Sequence, residues 1–204
     1  MPGNEQYEKP RDPLVQRLEQ AFLAYGYEQL TMSELAQLCG VTRRALYHHY
    51  SNKADAFRCV MRAYGDDVVE LGLAAGWSQL RQGGSAVDVL TDIFDVRFGE
   101  ARRLLATSPH AAEIFDQAYR LARDIMVEQA TYFHAELETL IVAMEQKKLL
   151  TLNPGIIPGE LASLLTDGAR GAHHRLPPIP LGELSAHNRR ILSVILYGTT
   201  ASGP

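Results

Sequence analysis

Apolar residues recur at three- and four-residue spacing along almost the whole chain, the pattern of amphipathic helices, and no stretch sustains the strict alternation of a half-buried strand. Asp12 reads as the cap of a first helix with Pro13 at its first position, where a missing N–H costs nothing. Leu14, Leu18, Ala21, Phe22 and Tyr25 fall on one face of it, and Gly26 stops it. Thr31 with Glu34 three residues on forms the capping box of a short second helix, whose apolar side is Leu35, Ala36 and Leu38 and which Cys39-Gly40 closes. Thr42 caps a third short helix reaching about His49, and Asn52 with Asp55 opens a fourth that runs towards Leu73.

Beyond it, Ser85 and Asp88 form another capping box, followed by a stripe of Leu90, Ile93, Phe94, Ala101, Leu104 and Leu105. Ser108-Pro109 starts the next helical stretch, and neither Gly nor Pro interrupts the chain again until Asn153-Pro154. That is longer than globular helices run, so a break is expected within 117–122. Two final helices, over about 158–175 and 183–197, are separated by LPPIPLG, whose prolines cannot continue a helix. The pattern predicts an all-α fold with two domains. Residues 1–60 are expected to form a three-helix, N-terminal helix-turn-helix domain, and 61–204 a larger helical domain.

Composition adds limits. A chain of 204 residues with 46% hydrophobic and 22% charged residues can bury a core without disulfides or metals. The absence of an apolar run of spanning length, and a polar start, lead us to expect a cytoplasmic protein with no membrane contact. Cys39 and Cys59 sit among apolar helical neighbours and read as reduced packing residues. Net charge is -4, but its distribution matters more: residues 43–62 carry Arg43, Arg44, Lys53, Arg58 and Arg62 against Asp55 alone. A basic patch on an acidic body suits local contact with a polyanion.

The second and third helices, separated by a Gly-containing turn of about four residues, have the spacing of a helix-turn-helix, whose second helix enters the major groove. Arg43 and Arg44, just after the Thr42 cap, are placed to touch base edges or clamp phosphates. Tyr47 and His48, four residues beyond each, project from the same side, and Lys53 offers a point charge at a helix start. Thr31 and Thr42 are candidates for phosphate bonds besides their caps. Tyr50 is expected to pack inward, and Arg58 and Arg62 to form ion pairs or meet solvent.

The run TMSELAQLCGVTRRALYHHYSNKADAF, preceded by AFLAYGYEQL, resembles the DNA-binding domain of TetR-type transcriptional regulators over about residues 12 to 60. The resemblance implies a homodimer with one recognition helix per subunit on a palindromic double-stranded operator, usually repressing, and an effector pocket among the central helices. By the same token it assigns Thr31 and Thr42 to cap and phosphate positions, Arg43 and Arg44 to the variable base-reading positions, and Tyr47, His48 and Lys53 to backbone contacts. Tyr50 stands where the family usually has Phe.

For the dimer face the last helices offer Leu161, Leu164, Leu165 and Gly168, then Leu184, Ile191, Leu192 and Ile195, at helical spacing. For a pocket holding a small-molecule effector of unknown identity, Trp77, Phe94, Phe98, Phe115, Tyr119, Met126 and Phe133 are the candidates. His173 and His174 point about 100° apart on a helix and do not make a metal site with His187. No cofactor, metal motif, HExxH, G-x-S-x-G or phosphate loop is present, so the chain is not expected to be an enzyme. The alternatives that stay open are a transcriptional activator and a helical protein-interaction adaptor without DNA binding.

Overall fold

The structure, a computed structural model, describes residues 11–173 and 175–200; His174 lies outside them. The helices are α1 Pro13–Tyr25, α2 Met32–Leu38, α3 Arg43–His49, α4 Lys53–Arg81, α5 Ala86–Phe94, α6 Glu100–Ala106, α7 Ala111–Leu121, α8 Arg123–Gln146, α9 Pro158–His173 and α10 Leu184–Thr199. A π-helical turn, Asp95–Gly99, joins α5 to α6, and a 3-10 turn, Leu181–Glu183, precedes α10. No described helix is long and apolar enough to cross a membrane. Both capping boxes form, Thr31 with Glu34 and Ser85 with Asp88. Asn52 and Asp55 exchange bonds at the start of α4, and the expected break falls at Ala122.

Helix α4 continues to Arg81, past the expected Leu73 and through Gly72 and Gly76. Glycine normally weakens a helix interior by about 1 kcal/mol. Here close approach explains it: a Cβ on Gly76 would sit 2.4 Å from Ile93 Cγ1, and one on Gly72 3.0 Å from the Ile93 carbonyl. The apolar stripe that sequence reading gave to one helix over 90–105 is instead divided by the π-turn, because one extra residue in a turn has no signature in hydrophobic spacing.

The chain forms two compact units, and neither is a continuous stretch of sequence. The first comprises Met1–Asp67 with Leu104–Glu128. Its core is built by Leu14, Leu18, Phe22, Leu35, Leu46, Phe57 and Val60, with Ile114 joining from α7. The Phe57 ring packs edge-on against Phe22 and Tyr27, with centroids 5.1 Å apart in each case. The second unit comprises Val68–Arg103 with Gln129–Pro204, and its core runs from Leu90, Ile93 and Phe94 to Phe133, Leu137, Leu161, Leu165 and Leu192.

That core corrects the dimer face read from the sequence. Leu161, Leu165, Leu184 and Leu192 have no exposed surface within a single chain and cannot meet a partner. Gly168 lies against Ile191 and Ile195 of the same chain, so its small size serves the crossing of α9 and α10. Helical spacing marks apolar positions but does not say which stripe turns inward. The side of these helices left outward carries Leu164 on α9 and Val194 and Tyr197 on α10, the last two 67% and 60% exposed. In the same unit, Asn188 is wholly buried and its side-chain amide donates to Asp95 Oδ1 at 3.1 Å, while Arg102 donates to the Ile179 carbonyl.

Candidate nucleic-acid interface

Helix α2 ends in a Schellman closure: Val41 N–H donates to the Ala36 carbonyl at 3.0 Å and Gly40 N–H to the Gln37 carbonyl at 3.1 Å. Gly40 takes φ +64°, the left-handed conformation that glycine adopts without strain. The chain then re-enters a helix at Thr42, whose hydroxyl accepts from Ala45 N–H at 3.1 Å. Leu46 anchors α3 in the first unit's core, which fixes the opposite face outward. On that face Thr42, Arg43, Arg44, Tyr47 and His48 are all exposed.

These side chains differ in freedom. The Arg43 guanidinium lies 5.3 Å from the Tyr47 ring centroid, one helical turn on. Neither Arg43 nor Arg44 forms an ion pair among the described residues. Thr31 is more committed. Its hydroxyl accepts from Glu34 N–H at 3.3 Å and donates to Glu34 Oε2 at 2.7 Å, which sets a carboxylate where the sequence reading allowed a phosphate. Lys53 is also engaged, donating to the Tyr27 carbonyl at 2.7 Å and the Glu28 carbonyl at 3.2 Å, with its nitrogen 4.2 Å from the Tyr27 ring centroid. An ammonium has three donors, so one remains. Tyr50 is half-buried and donates to Cys59 Sγ at 3.7 Å, and burial pushes its phenol upward.

Arg58 grips Asp124 with two bonds of 2.6 Å, and Arg62 reaches Glu128 at 2.8 Å, one turn further along both helices. Both basic side chains are thereby drawn into an ionic ladder and away from the α3 surface. The aromatic candidates for an effector site do not gather in one place. Phe94, Phe98 and Phe133 are neighbours in the second unit, with Trp77 against the same core. Phe115 and Tyr119 meet at a tilt, with ring centroids 5.0 Å apart, and are exposed in the first unit, which also contains Met126.

Sequence reading missed Ser108, Glu113 and Gln117, which bind the corner between α1 and α2. Ser108 Oγ donates to the Leu23 carbonyl at 2.6 Å, Glu113 Oε1 accepts from the amides of Tyr27 and Glu28, and the Gln117 amide donates to the Glu28 carboxylate. They lie more than 80 residues from their partners, and an acid in the first turn of α7 looks like an ordinary response to the helix dipole. Among the described residues, no group of three or more His, Cys, Asp or Glu side chains is placed to hold a metal ion.

Hydrogen bonding to Thr31 holds Glu34 below its ordinary carboxylate range, and bonding to Arg62 does the same for Glu128. For Glu113, burial acts upward but is outweighed by the Glu28 and Tyr27 amides and by His110. Asp124 is pulled from 3.8 to about 2 by its bonds to Arg58. Folded-state values below the unfolded ones contribute stability above the ordinary range and lose it as pH falls through the folded values. The urea midpoint is therefore expected to fall between about pH 4 and pH 2, and Asp124→Asn should make that fall shallower. A midpoint flat across this window would contradict the pairing.

Comparison with known proteins bears on this constellation directly. The family model for bacterial regulatory proteins of the tetR family matches residues 16–58, the span from α1 through α3 into α4. Over that span the chain is similar to the DNA-binding part of TetR-family regulators. It is 33% identical over 57 residues to the HTH-type transcriptional regulator TtgR of Pseudomonas putida, covering 28% of this chain and 27% of that protein. Over 51 residues it is 39% identical to the transcriptional repressor BepR of Brucella suis, covering 25% of this chain and 24% of that one. The chain thus spans about a quarter of the length of these curated relatives. The fold extends further. A TetR transcription regulator from Haloarcula marismortui superposes with a TM-score of 0.69 at 17% identity, over 92% of this chain and 96% of that one. SmeT, the repressor of a Stenotrophomonas maltophilia multidrug efflux pump, does so at 0.63 and 16%, over 96% and 93%. TetR-family relatives are transcription regulators and not enzymes.

Proposed function

We propose that this protein is a ligand-responsive transcriptional repressor that binds a palindromic operator as a homodimer and is released by a small molecule. The observation that carries the reading is the outer face of α3, where Thr42, Arg43, Arg44, Tyr47 and His48 stand exposed over a buried Leu46. A neutralising ion pair at Arg43 or Arg44 would argue for a plain solvated surface, and neither forms one among the described residues. Such a helix reads base edges with its first turn and grips phosphate with the next. Thr31 and Lys53 flank it as candidate backbone contacts. Location in the cytoplasm, with the chromosome, goes with the reading.

Selection of bound sequences from a random duplex pool, at moderate salt, tests it. A palindromic consensus whose affinity falls steeply with salt is the expected result. A folded protein that enriches nothing and shows no salt-dependent binding would leave the adaptor reading in its place. Whether loss of the protein raises or lowers transcription from the selected site decides between repressor and activator.

For dimerisation the reading uses the outward side of α9 and α10, Leu164, Val194 and Tyr197, in place of the buried leucines. Apolar side chains exposed this strongly on adjacent helices are stabilised by a second copy. Val194→Glu is expected to give monomers in sedimentation, with operator affinity reduced at least tenfold, since a half-site reader loses its partner's contacts. A variant still dimeric at micromolar concentration would move the interface elsewhere. For the effector, the aromatic neighbourhood of Phe94, Phe98 and Phe133, with Trp77 nearby, suits a largely apolar ligand. The Arg97 guanidinium lies 5.2 Å from the Phe98 ring centroid and 5.6 Å from that of Phe133.

A further inference from the structure

The peptide unit that joins Tyr27 to Glu28 has a charged group at each end. Lys53 Nζ donates to its carbonyl, Tyr27 O, at 2.7 Å, and its N–H, on Glu28, donates to Glu113 Oε1 at 2.6 Å. A second strand of bonds runs alongside. Tyr27 N–H donates to the same Glu113 oxygen at 2.7 Å, and the Glu28 carbonyl accepts from Lys53 at 3.2 Å. The ammonium meets the negative end of the amide dipole and the carboxylate its positive end, so each polarises the peptide in favour of the other. The corner is shaped to admit the acid: Gly26 takes φ +76°, and a Cβ there would sit 2.5 Å from Glu113 Oε2.

We propose that Glu113 is a positioning residue for the DNA-contacting surface, acting on Lys53 across the Tyr27–Glu28 peptide. The two charged side chains act on opposite ends of one amide plane. Lys53 begins α4 only a short link after the recognition helix ends at His49, so its direction and that of the first turn of α4 follow the corner. Any displacement of α7 is thereby passed to a phosphate-gripping ammonium through the corner peptide. The inference rests on the DNA-binding reading above.

A double-mutant cycle on the full-length protein tests it, using Glu113→Gln, Lys53→Met and the double variant against the duplex selected by the wild type. Glutamine keeps the size and one acceptor but removes the charge, so the fold should survive, and the urea midpoint checks that it does. Glu113→Gln is expected to weaken binding about fivefold in the wild-type background and hardly at all when Lys53 is already methionine. Gln117→Ala, which removes another α7 contact to the same corner but leaves the peptide alone, should stay within about twofold. Losses that multiply independently, or a lowered urea midpoint with affinity unchanged, would reduce Glu113 to a structural residue and overturn the proposal. A wild-type protein that selects no duplex would overturn the DNA reading itself, an outcome distinct from either of these.

Discussion

Arg44→Ala is expected to relax base preference at one position of each operator half-site by about 1–3 kcal/mol, the usual discrimination of a bidentate arginine contact. Two features single out this residue over its neighbour. It stands in the first turn of α3, where side chains meet base edges, and it is exposed with no ion pair or ring contact among the described residues. Arg43 is already laid against Tyr47, a geometry suited to holding the phosphate backbone. Selection repeated with the Arg44→Ala protein should therefore return a consensus degenerate at one symmetric pair of positions, whereas Arg43→Ala should return the original consensus at lower affinity. An unchanged consensus from Arg44→Ala, with affinity lost uniformly, would move base reading to another residue.

Phe57→Ala should cost the first unit about 3–5 kcal/mol, the range for deleting a fully buried aromatic ring. The ring has no exposed surface, and it is the shared neighbour of Phe22 from α1 and Tyr27 from the corner. Whole domains are stable by only about 5–15 kcal/mol, so this one change brings the module near its unfolding threshold. A urea titration followed by tryptophan-independent circular dichroism should show the loss, with operator affinity falling as the folded fraction falls. A cost below about 1 kcal/mol would mean that Tyr27 and Phe22 collapse into the space, contrary to the close packing seen.

Much of this was legible in the residues because the informative signals are local. Thr31 with Glu34, Ser85 with Asp88, and Gly40 before Thr42 fix helix ends through bonds spanning three or four residues, and the structure makes those bonds. The outward face of α3 follows from Leu46 alone, since a helix with one buried residue per turn has only one way to face. What sequence could not supply is choice among equivalent long-range partners. Leu161 and Leu164 carry the same side chain three residues apart, yet one is buried and the other 42% exposed, because only the path of α5 and α10 decides which side is covered. Gly72 and Gly76 look like helix breakers until Ile93 is seen against them. Glu113 and Lys53 are far apart in sequence and touch through a peptide that carries no side-chain signal.

The π-turn at Asp95–Gly99 bears on how this chain tolerates insertion and deletion. Removing any one residue there would restore a continuous α-helix and rotate everything after it by about 100° about the axis. Arg102 would swing away from the Ile179 carbonyl that it now holds. A shortening by one codon inside this turn is thus a reorganising event for all of α6. Where an alignment with relatives needs a single-residue gap in this stretch, the turn is the place for it, even where residue identities would slide it into a neighbouring loop.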